Sequence, residues 1–138
     1  MTTLLAYSHL FAGLGLGAFT EAGARVMRSG RYRSFAFAFL NIVITFGVVQ
    51  GLLVGWVIGG RLSLVSIAPV LFMVGAVVGI LVEGLNGYWW RAWSWSDKPL
   101  FGIERPIDKA AFIGVVWGFA PILTVMLARM AVVRGLEF

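Results

Sequence analysis

Long apolar segments separated by short polar links dominate the hydrophobic pattern of this chain. Four such segments occur, at residues 4–24, 34–58, 64–85 and 110–132. A helix needs about 20 apolar residues to cross the hydrocarbon core of a bilayer, and each segment reaches that length. The pattern therefore predicts an all-α polytopic membrane protein, a bundle of four transmembrane helices formed by residues 1–138 as a single domain.

The composition agrees with this prediction and limits the chemistry. Hydrophobic residues make up 60% of the chain and charged residues 12%, whereas soluble domains carry about 25% charged residues. The sequence has no cysteine and one histidine, which excludes disulfides and thiolate chemistry and leaves too few ligands for a zinc or di-iron site. We expect no metal site.

The basic residues are distributed unequally between the two sides of the predicted bundle. The links at about 25–33 and 86–109 contain eight lysines and arginines, and the other side contains three. The positive-inside rule then places both links in the cytoplasm and both termini outside, in a bacterial inner membrane. The net charge of +5 follows from this topology, so we expect no nucleic-acid partner.

The link between the third and fourth segments is unusually rich in tryptophan. Indole rings are stable at the headgroup level of a membrane, and the link also contains Pro99, Gly102 and Pro106, which favour fixed turns. The sequence predicts an ordered interfacial loop that contacts lipid or a partner. Its candidate binding residues are Trp89, Trp90, Arg91, Trp93, Trp95 and Arg105, with Tyr88, Asp97 and Lys98 beside them.

Glycines recur at four-residue spacing within the apolar segments. Such ridges let membrane helices approach closely. We expect most of them to join the four helices to one another, although a ridge on every helix leaves room for one that faces another protein. The ridges are Gly13, Gly15 and Gly17, then Gly51, Gly55 and Gly59, then Gly75 and Gly79, and finally Gly114 and Gly118.

Three carboxylates lie at the cytoplasmic ends of the predicted helices: Glu21, Glu83 and Asp108. Ionisable groups in membrane segments are costly and often functional, so one interpretation is a site for a lipid headgroup, a proton or a cation. The other interpretation is structural. Glu21 precedes Arg25 by four residues, which favours an ion pair, and Glu83 could pair with Arg91, Arg105 or a first-link arginine.

Other polar residues lie inside the predicted helices. His9 is expected to be an interfacial side chain that forms a hydrogen bond with a neighbour, with ligation of a haem or a pigment as the alternative. Gln50 is expected to form an interhelical hydrogen bond. Pro121 should break the helical bonding at the Trp117 carbonyl. We predict bound lipids but no other cofactor.

Three functions remain compatible with the sequence. The leading prediction is a non-catalytic accessory or assembly subunit of a larger membrane complex, for example an energy-transducing or photosynthetic one, because no catalytic constellation occurs. The second is a small membrane enzyme or carrier that acts on a lipid or isoprenoid through Glu21, Glu83 and Asp108. The third is a homo-oligomeric transporter or channel.

Overall fold

A computed structural model describes residues 2–27, 30–32, 34–59, 62–86, 89, 91, 93–95 and 99–135. Some of the basic residues counted above and some candidate residues of the tryptophan-rich link lie outside this description: Arg28, Arg33, Arg61, Tyr88, Trp90, Asp97 and Lys98. Three more have a described backbone but no described side chain, namely Arg31, Trp95 and Arg134.

The prediction of a mostly helical chain with four long apolar helices is confirmed. The helices long and apolar enough to cross a membrane are Thr3–Gly23, Phe35–Ile58, Leu64–Leu85 and Pro106–Val133. The fourth begins before the apolar run at 110–132 because Pro106 occupies its first turn, a position that needs no backbone N–H. Its polar first turn therefore belongs to the helix and not to the preceding link.

The elements follow one another as a simple chain of helices with two short strands. Their order is α1 (Thr2–Met27), β1 (Gly30–Tyr32), α2 (Phe35–Leu40), a π-helix named π1 (Asn41–Ile58), α3 (Leu64–Leu85), β2 (Trp93–Trp95), α4 (Pro106–Val116) and α5 (Phe119–Gly135). The second long helix is thus α-helical only at its start. The hydropathy pattern predicts a helix there but contains no signal for the wider hydrogen-bond register of π1.

The fourth long helix is interrupted at Trp117 and Gly118, between α4 and α5. Pro121 has no N–H to donate to the Trp117 carbonyl, and Ala120 N donates to it instead at 3.0 Å. Gly118 N donates to Val115 O at 2.9 Å in the same tightened turn. The break therefore occurs at the carbonyl that the sequence indicated.

Close helix packing occurs at the glycine ridges. A Cβ on Gly51 would lie 2.7 Å from His9 O, and one on Gly79 would lie 2.6 Å from the Trp117 Cβ and would also overlap the carbonyl of Gly114. All the predicted ridge glycines except Gly15 have such a neighbour within this chain. The prediction that the ridges mainly join these helices is confirmed, and Gly15 alone among them faces open space.

Helix α5 lies at the centre of the described bundle, in contact with α1, π1 and α3, whereas α4 packs on α3. One apolar cluster contains Val54, Leu71 and Val125, and a second contains Phe46 and Trp117, whose ring centroids are 5.1 Å apart. We call the end of the bundle that contains β1 and β2 the loop end. The opposite end, with the link at residues 59–63, is the turn end.

Candidate functional site

The two links at the loop end are joined by backbone hydrogen bonds. Strand β1 pairs with β2 in antiparallel register, with Gly30 opposite Trp95, Arg31 opposite Ser94 and Tyr32 opposite Trp93. This two-stranded ribbon connects the arginine-rich first link to the tryptophan loop, which we define as residues 86–105. The ribbon places both links at the same end of the bundle.

Asn86 fixes the start of β2 through both ends of its amide. Its Nδ2 donates to Trp93 O at 2.9 Å, and its Oδ1 accepts from Trp93 N at 3.1 Å. The side chain thereby pairs with the β2 backbone much as a neighbouring strand would. Asn86 is buried at the end of α3, so these bonds replace contacts that water would otherwise supply. Sequence analysis assigned no such role to Asn86.

Glu83 lies one helical turn before Asn86 and contacts the same tryptophan. The Trp93 indole Nε1 donates to Glu83 Oε2 at 3.2 Å, and only 6% of Glu83 is exposed. A buried carboxylate requires hydrogen-bond donors. The indole supplies one such donor, and the same bond holds Trp93 over the end of α3.

Lys109 lies at the same depth as Glu83 on the adjacent helix. Helices α3 and α4 are antiparallel, and Gly79 packs against Gly114. Four residues later in α3 and four residues earlier in α4, the same register brings Glu83 level with Ala110 and Lys109. The Lys109 side chain is 1% exposed. The loop end therefore buries an acid and a base at one level of the α3–α4 interface. Lys109 was counted in the sequence only as a topological charge.

Asp108 is in the first turn of α4 and pairs with Arg105 at the surface. Arg105 Nε and Nη2 donate to the carboxylate at 2.7 and 3.2 Å. These hydrogen bonds, followed by the attraction of the Asp108 charge, raise the pKa of the Arg105 guanidinium. Both side chains are substantially exposed, so the pair adds little to stability. Arg105, predicted as a binding residue or a partner of Glu83, pairs here with Asp108.

Glu21 has different surroundings from Glu83. Its Oε1 accepts from Arg25 Nε at 2.7 Å, which confirms the predicted ion pair. The pair lines a cleft of about 260 Å³ between α1 and α2, whereas Glu83, on α3, faces Trp93. The three candidate acids thus occupy three separate environments, each with its own polar partner.

Among the described residues of the tryptophan loop, two aromatic side chains are strongly exposed. Trp89 is 79% exposed and Phe101 is 80% exposed. Phe101 and Gly102 form a tight turn with φ of 51° and 82°, closed by two hydrogen bonds between the backbones of Leu100 and Ile103. Positive φ at both central residues is the geometry of a type I′ turn, in which a bulky residue such as phenylalanine is unusual.

His9 is fully buried in the described bundle. Its predicted hydrogen bond is present, between Nδ1 and Leu5 O at 2.7 Å. Its Cδ2 would lie 3.4 Å from a Cβ on Gly55, and Thr124 packs at the same position. A haem or pigment would bind through a ring nitrogen, and the buried His9 Nε2 would have to become accessible before it could ligate one.

Gln50 differs from its prediction. Its side chain is fully buried, yet neither amide atom has a hydrogen-bond partner among the described residues. The expected interhelical hydrogen bond is therefore absent from this part of the chain. The adjacent Gly51 allows π1 to approach the His9 carbonyl, so close backbone packing and not amide bonding joins the two helices here.

Comparison with protein-family models, with curated proteins and with solved structures finds no match to this chain.

Proposed function

We propose that this protein is a non-catalytic accessory or assembly subunit of a larger membrane complex, and that it binds its partner through the tryptophan loop. The observation that carries the proposal is that the described aromatic residues of the tryptophan loop face in different directions. Trp93 is turned inward onto Glu83 and Asn86, whereas Trp89 and Phe101 remain exposed. The loop is thus attached to the bundle on one side and available on the other.

The backbone at Phe101 supports a binding role. A non-glycine residue with left-handed φ costs about 1–3 kcal/mol, and such residues concentrate at functional positions. Here the left-handed residue projects an exposed aromatic ring from the tip of a turn. Aromatic side chains are enriched in the buried centres of protein interfaces, so this ring is well suited to contact another subunit.

The environments of the three acids support a structural rather than a catalytic role. Glu21 pairs with Arg25, Asp108 pairs with Arg105, and Glu83 accepts from Trp93. The first two pairs are local, within α1 and at the start of α4, and only Glu83 joins a helix to the tryptophan loop, so the three carboxylates do not converge on one point.

Purification in mild detergent from the native host, followed by mass spectrometry, tests the proposal. The wild-type chain should retain another membrane protein at fixed stoichiometry, and the double variant Trp89→Ala/Phe101→Ala should lose it. Phe11→Ala is the matched control because Phe11 is an exposed aromatic residue on α1, outside the loop. Recovery of the chain without a partner, or equal retention by all variants, would refute the proposal. Recovery only as a homo-oligomer would favour the transporter or channel.

A second candidate is a small membrane enzyme or carrier that acts on a lipid or isoprenoid. The burial of Glu83 and Lys109 at one depth favours it, because buried ionisable groups in membrane segments often serve function. Glu83→Gln keeps an oxygen acceptor for Trp93. That variant should retain the partner of an assembly subunit, but it would abolish turnover or transport if Glu83 exchanges a proton.

A further inference from the structure

Two fully buried polar side chains, His9 on α1 and Gln50 on π1, have atoms without a hydrogen-bond partner among the described residues. These atoms are Nε2 of His9 and both Nε2 and Oε1 of Gln50. Nearly all buried polar groups in native proteins have a partner, either in the protein or in ordered water. The three atoms therefore mark a place in the bundle where a further hydrogen-bonding group is needed.

His9 and Gln50 belong to the same contact between α1 and π1. A Cβ on Gly51, the residue after Gln50, would lie 2.7 Å from His9 O. A Cβ on Gly55 would lie 3.0 Å from Gln50 O and 3.4 Å from His9 Cδ2, the ring carbon bonded to Nε2. The depths also agree, because His9 lies about two turns after the start of α1 and Gln50 about two turns before the end of π1, both counted from the turn end.

The hydrogen bond at His9 Nδ1 determines what the unpartnered Nε2 requires. A carbonyl oxygen only accepts, so Nδ1 donates its proton to Leu5 O at 2.7 Å. In the neutral imidazole, Nε2 is then an acceptor. The amide of Gln50 adds a donor at Nε2 and an acceptor at Oε1. The missing group must therefore donate two hydrogen bonds and accept one.

Water meets this requirement in the smallest volume. A water molecule donates two hydrogen bonds and accepts up to two, and buried waters typically form about three. The backbones of α1 and π1 are in close contact at Gly51 and Gly55, so a much larger ligand would have to separate these helices. The neighbouring Thr124 hydroxyl is not the missing donor, because it donates to Ala120 O at 2.8 Å within its own helix.

We propose that His9 and Gln50 bind one internal water molecule, which donates to His9 Nε2 and to Gln50 Oε1 and accepts from Gln50 Nε2. The water links α1 to π1 at a level where the described residues form no direct side-chain hydrogen bond between these two polar groups. The site lies inside the bundle and apart from the tryptophan loop, so it is independent of the function proposed above.

NMR of the full chain in lipid bilayers tests this site, because His9 is the one histidine and Gln50 the one glutamine of the sequence. Isotope-labelled histidine therefore gives a single imidazole spectrum. In the wild-type protein, Nδ1 should carry the proton and Nε2 should not. Magnetisation should also pass from water to the carbon-bound ring protons beside Nε2.

A matched pair of variants identifies the second partner of the water. Gln50→Leu keeps a similar volume but removes two of the three hydrogen bonds, so the transfer from water to the ring should be lost. Thr124→Val removes a buried hydroxyl beside the same ring that is already bonded within α5, so the transfer should be unchanged. In both variants the Nδ1 proton should remain, and thermal unfolding establishes that each is folded.

The wild-type spectrum alone can overturn the proposal, even if Gln50→Leu does not fold. No transfer from water, or a proton on Nε2 with none on Nδ1, would do so. With labelled glutamine added, a direct contact between the Gln50 amide and the imidazole without transfer from water would show that the two side chains bond to each other. Equal transfer in the wild type and in Gln50→Leu would also contradict the proposed site.

Discussion

The loop end and the turn end of the bundle use their polar side chains for different purposes. At the turn end, Arg129 Nη2 donates to Gly59 O at 2.9 Å and also to Leu62 O, while the Ser63 hydroxyl accepts from Ser66 N at 3.3 Å. These bonds satisfy carbonyl and N–H groups that helix ends leave free. At the loop end, Glu83 and Asn86 instead reach across seven to ten residues to Trp93.

The difference shows where a binding surface is worth seeking. At the turn end, the side-chain hydrogen bonds cap the helix ends, and the link between the helices is short. Those of the loop end position a longer segment that exposes Trp89 and Phe101. A link that only reverses the chain direction does not need an inward-facing tryptophan. The contacts of Trp93 therefore support the proposal that a defined loop shape is required for function.

Replacement of Asn86 should have the largest effect. Asn86→Ala removes both bonds to the Trp93 backbone, and we expect a loss of about 3 kcal/mol because two buried polar groups lose their partner. Limited proteolysis should then cut within residues 88–98 while the turn end stays protected. Asn86→Asp, which keeps the acceptor but not the donor, should have an intermediate effect. Equal protection of the loop in all three proteins would contradict the role given to Asn86.

Replacement of Arg129 should destabilise the other end of the bundle. Arg129→Ala leaves the carbonyls of Gly59 and Leu62 without this donor, and we expect a loss of about 2 kcal/mol in detergent unfolding. Arg129→Lys should recover part of that loss, since lysine also donates to carbonyls. Partner retention should be unchanged, and a variant that loses its partner while it remains folded would argue against the separation of the two ends.

Glu83→Gln should have a smaller effect on stability. The amide oxygen can still accept from Trp93 Nε1, so we expect a change of about 1 kcal/mol, and Glu83→Ala should cost more. Because the chain has six tryptophans, the fluorescence spectrum is compared with that of the same protein carrying Trp93→Phe, and the difference reports the environment of Trp93. A red-shifted spectrum for Glu83→Gln would mean that the charge of the carboxylate, and not only its oxygen, holds the ring in place.

Phe101→Asn should have the smallest effect on stability and a large effect on binding. Asparagine adopts left-handed φ with little strain, so the free energy of unfolding should change by about 0.5 kcal/mol or less as relief of strain offsets the lost contact with Phe112. Mild-detergent purification should show loss of the partner. A destabilised Phe101→Asn protein would instead show that Phe101 is part of the bundle's own packing.

The helices could be predicted from the sequence because bilayer-length apolar runs have few alternatives to a helix. The Glu21–Arg25 pair and the break at Trp117 were also predictable, since both follow from local spacing. The bonds of Asn86 and Glu83 to Trp93 were not, because they depend on the path of the loop. The burial of His9 and Lys109 depends on how helices rotate against one another, which hydropathy does not specify.

For the proposed membrane-spanning arrangement, the ribbon of β1 and β2 has a consequence for assembly. Its two strands come from the first and second helical hairpins, so its hydrogen bonds form only when both hairpins enter with their links on the same side. A half inserted upside down would leave β1 and β2 across the bilayer from each other. The ribbon therefore forms only if both hairpins have the same orientation. It can form only after Trp95 has been synthesised.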